Sequence, residues 1–134
     1  MNIYLDSCIV IYLIEGSPPY HDAVEAALRM YRPTRTVLSD LVRLECRVGP
    51  LRQGDQAMLE RFDQFFASAF IGPLTSAIYD LATELRASHR FKTPDALHVA
   101  AAIIHGCEEF WTNDHRLKAI EPRMALRVLP EKAS

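Results

Sequence analysis

The sequence predicts an α/β fold: a three-layer α/β/α sandwich around a central, mainly parallel sheet. Short apolar segments alternate with stretches of helical periodicity along the chain, the pattern of strands joined by helical crossovers. Two of the apolar segments, Ile3-Tyr4-Leu5 and Phe110-Trp111, also run directly into acids beside hydroxyl residues, Asp6-Ser7 and Thr112-Asn113-Asp114. In open parallel sheets ligands gather outside the carboxyl ends of the strands, so acids at two such ends can meet although they lie at opposite ends of the sequence.

The first strand covers Ile3-Leu5, and a helix follows through Cys8-Ile14 until Gly16-Ser17-Pro18-Pro19 ends it. A second helix runs from about Asp22 to Tyr31 and stops before Pro33. Thr36-Val37-Leu38 forms a short buried strand. Ser39 then suits the N-cap of a helix reaching about Val48, ahead of Gly49-Pro50. From Asp55 to Ala67 the residues Met58, Leu59, Phe62, Phe65 and Phe66 recur at helical spacing, and Phe70-Ile71 follows as an edge strand. A helix then runs from Thr75 to about His89. The next opens at Thr93-Pro94, with Thr93 as cap and Pro94 at the first helical position. Its residues Ala96, Leu97 and Val99 to Ile104 are apolar nearly all round, which places it in the core. Phe110-Trp111 is a strand, a short helix starts at Asp114, and Leu126-Val128-Leu129 closes the sheet.

With 134 residues, 49% of them hydrophobic, the chain suits a single domain spanning 1–134, and no linker or repeat divides it. No apolar run approaches the ~18 residues a membrane helix needs. The N-terminus lacks the basic start and long apolar core of a signal peptide, so a cytoplasmic protein with no membrane partner is expected. Cys8, Cys46 and Cys107 have no paired spacing and read as reduced, mostly buried thiols. The net charge of -2 excludes a broadly basic surface. A polyanionic substrate would need local basic groups or metal ions to hold it.

Among 17 acidic residues, four stand where solvation alone does not account for them. Asp6 and Asp114 end apolar strands, and Asp95 lies in the first turn of the buried helix, on the face that continues into His98 and Val99. Glu45 shares its helical stripe with Leu41, Val42 and Val48. Each has a plain alternative: Asp6 as a helix cap, Asp95 as a partner of the helix dipole, Glu45 as an ion-pair partner, Asp114 as a turn residue. Together, carboxylates converging on one pocket would repel one another unless a cation offset them. Magnesium or manganese fits hard oxygen donors, whereas zinc would call for histidines and cysteines at ligand spacing. His98 reads as a buried hydrogen-bonding residue and His115 as a surface one. Asp63, Asp80, Glu84, Glu108, Glu109 and Glu121 read as solvated charges, and Asp40 as serving a helix start.

The order Ile3-Tyr4-Leu5-Asp6-Ser7, Glu45, Thr93-Pro94-Asp95-Ala96-Leu97-His98 and Phe110-Trp111-Thr112-Asn113-Asp114 resembles the PIN-domain ribonucleases, in particular the VapC toxins of prokaryotic toxin-antitoxin pairs. The resemblance covers nearly the whole chain, though 49–75 carries no motif, and Cys8 stands where small Ser or Ala residues are frequent. It implies a PIN fold and metal-dependent hydrolysis of RNA that inhibits translation and growth, leaving a 5'-phosphate and a 3'-hydroxyl. The catalytic quartet falls on Asp6, Glu45, Asp95 and Asp114. Of these, Asp6, Asp95 and Asp114 would contact Mg2+ or Mn2+, and Glu45 would act through water or as the base. Ser7 and Thr112 would support the acids. The resemblance also implies homodimers and a VapB-like antitoxin partner.

Arg86, Arg90 and Lys92, which lead into Asp95, and Arg43 and Arg47, which flank Glu45, are candidates for the RNA backbone. The stripe Met58, Leu59, Phe62 and Phe65 serves either an interface or the core. Two other readings compete. A receiver-like Mg2+-binding signalling domain would need an acid pair after the first strand and a late lysine. A non-catalytic PIN interaction module would keep the fold without turnover. Nucleophilic catalysis by Cys8 is weaker, because no motif ties a histidine to it.

Overall fold

The computed structural model describes residues 1–131. Five strands, β1 (Asn2–Leu5), β2 (Arg35–Ser39), β3 (Phe70–Gly72), β4 (Glu109–Thr112) and β5 (Ala125–Val128), pair in the order β3-β2-β1-β4-β5, every pair parallel. Ile3, Tyr4 and Leu5 are all fully buried, so the central strand is covered on both faces. That is why β1 reads as a continuous apolar run rather than an alternating one. The helices that cover the sheet are α1 (Ser7–Glu15), α2 (Tyr20–Tyr31), α3 (Asp40–Gln53), α4 (Gln56–Ser68), α5 (Ser76–Ser88) and α6 (Thr93–Ile104). A 3-10 helix, His115–Ile120, separates β4 from β5. The α/β architecture with a parallel sheet expected from the sequence is present.

The chain moves outward from β1 to β2 and β3, then crosses back to β4 on the other side of β1. This reversal opens a crevice at the carboxyl ends of β1 and β4, the place where such sheets bind ligands. The crossover ends in α6, where Ala96, Leu97, Val99 and Ala100 to Ala102 are buried, as its composition requires.

Several local expectations are corrected. Gly49-Pro50 does not end α3, which runs on to Gln53. Pro50 forfeits one backbone bond, but its ring is buried, and Gly54 in the left-handed region (φ 66°) supplies the stop further on. Ser39 holds the N-cap position without a side-chain capping bond, because its hydroxyl is engaged by Tyr4 at 2.9 Å. Thr93 is already helical and Lys92 is the cap residue, also without a side-chain bond. The last strand ends at Val128, one residue before buried Leu129. The stripe on α4 is core: Leu59, Phe62 and Phe66 are buried, and Met58 and Phe65 pack against them.

One close approach fixes the sheet edge. A Cβ on buried Gly72 would meet the His105 ring at 2.5 Å, and that ring lies 3.0 Å by Nε2 from the carbonyl of Pro73. Gly72→Ala therefore requires the half-buried His105 ring to turn aside and give up its contact with the Pro73 carbonyl, and is expected to cost about 1 kcal/mol in urea denaturation, the net worth of one hydrogen bond. Combining it with His105→Ala should recover part of that loss, giving a non-additive cycle.

Candidate active site

The parallel register of β1 and β4 builds the site. Leu5 stands opposite Trp111, and the Asp6 N–H donates to the Trp111 carbonyl at 2.9 Å, so Asp6 comes to lie beside Thr112. The Thr112 hydroxyl donates to Asp6 Oδ2 at 2.7 Å, and the Ser7 N–H donates to Oδ1 at 2.8 Å. Thr112 Oγ1 also accepts the Asp114 N–H at 3.2 Å, tying the two strand-end acids to one hydroxyl. Asp6 does cap α1, and the same bonds fix its carboxylate at the mouth of the crevice.

Glu45 reaches the same place from α3. Its Oε1 accepts from Ser7 Oγ at 2.7 Å and from His98 Nε2 at 2.5 Å. Burial alone would raise its pKa, but the bonds from His98 and Ser7 outweigh burial and hold it below the usual glutamate range. His98, only 2% exposed, sits on α6 one turn beyond Asp95, with Nε2 3.7 Å from Asp6 Oδ1. Its hydrogen-bonding role is as the sequence suggested.

Asp95 is half-buried in the first turn of α6. Burial, then the charges of Asp6 and Asp114, raise its pKa above the ordinary aspartate value. It accepts no protein hydrogen bond among the described residues. Asp114 is shifted the opposite way: Arg116 grips both its carboxylate oxygens, at 2.7 to 3.1 Å, and lowers its pKa. Nothing in the sequence singled out Arg116 beyond its place two residues after Asp114, at the start of the 3-10 helix.

A cavity of about 360 Å³ opens beside these groups, lined by Asp95, Asp114, Arg116, Arg90, Lys92 and Phe91 among others. Of the five basic candidates, Arg90 and Lys92 line this cavity with Asp95. Three others do not. Arg43 pairs with Asp40 at 3.1 Å, Arg47 lies 3.5 Å from Asp63, and both line a separate surface groove. Arg86 donates to the Phe91 carbonyl at 3.1 Å and so fastens the turn before α6. His115 is exposed. The Cys8 thiol is pushed up to about 12 by burial and by Asp6, which leaves it a poor nucleophile.

Among the described residues, no three His, Cys, Asp or Glu side chains already stand as a ligand set. The donor chemistry still fits a hard divalent cation. The nearby donors are carboxylates and hydroxyls, the cysteine thiol is held neutral, and Asp95 is destabilised as an anion by burial and by the two acids it faces.

Comparison with known proteins agrees with the fold. The family model described as PIN domain matches residues 3–121. No curated protein matches the chain. Among solved structures, the chain is similar to VapBC2 from Rickettsia felis, bound to a DNA fragment from its promoter. That match has 21% identity and a TM-score of 0.80, covering 96% of this chain and 98% of the other. A toxin-antitoxin complex from Klebsiella pneumoniae matches with 23% identity and a TM-score of 0.78, covering 98% and 99%. The sarcin-ricin loop cleaving toxin VapC20 from Mycobacterium tuberculosis matches with 16% identity and a TM-score of 0.67, covering 81% and 86%. At these identities the likeness is one of fold.

The opposite shifts of Asp95 and Glu45 give a stability test of opposite sign. Because the folded state binds the Asp95 proton more tightly than the unfolded state, stability is lost as pH rises through its raised pKa. Asp95→Asn should therefore be more stable than the parent at pH 7 without metal, and the gap should close in acid. The Glu45 contribution is present above the ordinary glutamate pKa and fades as pH falls toward its depressed value. Glu45→Gln should accordingly be less stable at pH 7, with the difference vanishing in acid. Thermal melts across pH read both.

Proposed function

Because the chain belongs to the PIN-domain family, we propose that it is a divalent-metal-dependent endoribonuclease, the toxin of a VapBC-type toxin-antitoxin pair in the cytoplasm. The observation that supports the reading is that Asp95 is raised in pKa by burial and by the charges of Asp6 and Asp114, while Glu45 is joined to Asp6 through Ser7 and His98. Structural acids are ordinarily placed beside cations, and acids that face other acids mark a site built for one. The fold similarity to toxin-antitoxin complexes supports an antitoxin partner.

Asp6, Asp95 and Asp114 would hold Mg2+ or Mn2+. The cation, when bound, supplies Lewis-acid activation of water and offsets charge on the phosphate. Glu45, kept ionised by His98 and Ser7, would orient the attacking water as a hydrogen-bond acceptor, its lowered pKa making it a weak base. Water rather than the 2'-hydroxyl attacks, so a 5'-phosphate and a 3'-hydroxyl result. Ser7 and Thr112 hold the Glu45 and Asp6 carboxylates in orientation. Arg90 and Lys92 line the cavity beside Asp95 and would bind the RNA backbone as positive charges. Arg43, Arg47 and Arg86, engaged elsewhere, are given no such role. The family match stands against a receiver-like domain. Turnover separates a nuclease from a PIN module that only binds.

Asp6→Asn and Asp95→Asn are each expected to reduce RNA cleavage by about 10²-fold or more, with circular dichroism unchanged. Chelation should abolish the activity and added Mg2+ or Mn2+ restore it. Full activity in either variant would overturn the assignment. Expression of the protein alone should arrest growth, and a cognate antitoxin should relieve the arrest. Joint replacement of Arg90 and Lys92 by Ala should weaken RNA binding and flatten its salt dependence, with little effect on kcat.

A further inference from the structure

A buried chain of hydrogen bonds runs behind the acids. Ser39 Oγ lies 2.9 Å from the Tyr4 hydroxyl, which lies 2.7 Å from His98 Nδ1, while His98 Nε2 meets Glu45 Oε1. Ser39, Tyr4 and His98 are at most 2% exposed. An ionised carboxylate can only accept, hence Nε2 must carry the hydrogen in the bond to Glu45. The other nitrogen faces a hydroxyl, which can donate to it or accept from it. Either way the imidazole ring is held from both sides.

The two donors to Glu45, Ser7 Oγ and His98 Nε2, both fall on Oε1. Oε2 has no protein partner among the described residues, nor is it among the buried unpartnered atoms, so it is open to solvent. We infer that His98 is a positioning residue. Braced by Tyr4 and Ser39, it presents Nε2–H to Glu45 Oε1 and leaves Oε2 as the oxygen offered to the reaction. The consequence for catalysis rests on the nuclease reading above; the state of the ring does not. Because His98 is buried, it cannot touch RNA, and its loss should appear in kcat rather than KM.

The test uses the full chain with 15N-labelled histidine. Long-range 1H-15N spectra should show a protonated Nε2 on His98. Tyr4→Phe, which keeps the packed ring, should disturb the His98 signals and lower kcat on a short RNA by about tenfold with KM unchanged. His98→Gln, which keeps an N–H donor, should retain more activity than His98→Leu. An unprotonated Nε2 in the parent would overturn the inference. So would a Tyr4→Phe protein whose His98 signals and kcat match the parent. Should the His98 variants fail to fold, the Tyr4→Phe comparison decides. If the parent cuts no RNA, the nuclease reading fails while the spectra still judge how Glu45 is held.

Discussion

Everything at the site depends on the parallel pairing of β1 with β4. That register sets Leu5 opposite Trp111 and lets the Asp6 N–H reach the Trp111 carbonyl, so Asp6 and Thr112 become neighbours. A shift of one residue would turn the side chains of one strand to the opposite face and separate the acid from its hydroxyl. The register is fixed by burial: Ile3, Tyr4, Leu5, Phe110 and Trp111 are all fully enclosed, and no slipped pairing could keep them so. The hydrophobic core is thus what fixes the strand-end acids in place.

Bringing carboxylates together has an electrostatic cost, and the fold meets it unevenly. Asp114 is neutralised by Arg116 at the surface, and Glu45 by donors from His98 and Ser7. Asp6 receives a backbone N–H and a threonine hydroxyl. These partners come from four places: the start of α1, the face of α6, the end of β4 and the 3-10 helix. Three of the acids stand beside a group that steadies another acid: Ser7 follows Asp6 and holds Glu45, His98 lies one turn beyond Asp95 and holds Glu45, and Thr112 precedes Asp114 and holds Asp6. The polar cluster therefore ties together elements that the core alone would position only coarsely.

The strand-end acids and the buried helix start were legible because hydrophobic periodicity marks strand ends and helix faces well. Asp6 and Asp114 are read directly from where apolar runs stop, Asp95 from the first turn of a helix that is apolar nearly all round, and Glu45 from its apolar neighbours. The supports were less legible. Tyr4 looks like any core aromatic until its hydroxyl is asked for a partner, and Ser39 looks like a cap until that hydroxyl proves to be the partner. Arg43 and Arg47 flank Glu45 in sequence, but helical geometry turns them toward Asp40 and Asp63. Proximity along the chain is a weak guide to facing direction on a helix. Pro50 misled for a different reason, since local propensity yields where burial compensates a missing bond.

The distribution of hydrogen-bond donors orders the acids by need. Asp114 has both oxygens engaged by Arg116, Asp6 has one donor on each oxygen, and Glu45 has two donors on one oxygen. Asp95 has none among the described residues, and its pKa is raised by burial and by its two acidic neighbours. A half-buried carboxylate at the first turn of a helix could easily have been given a serine or threonine partner, as Asp6 was. Leaving it bare makes the folded chain less stable when Asp95 is ionised, a disadvantage that a bound cation would reverse. By this argument Asp95 is the acid that would gain most from a bound cation. The hydroxyl-bound Asp6 and the arginine-bound Asp114 form the frame around it.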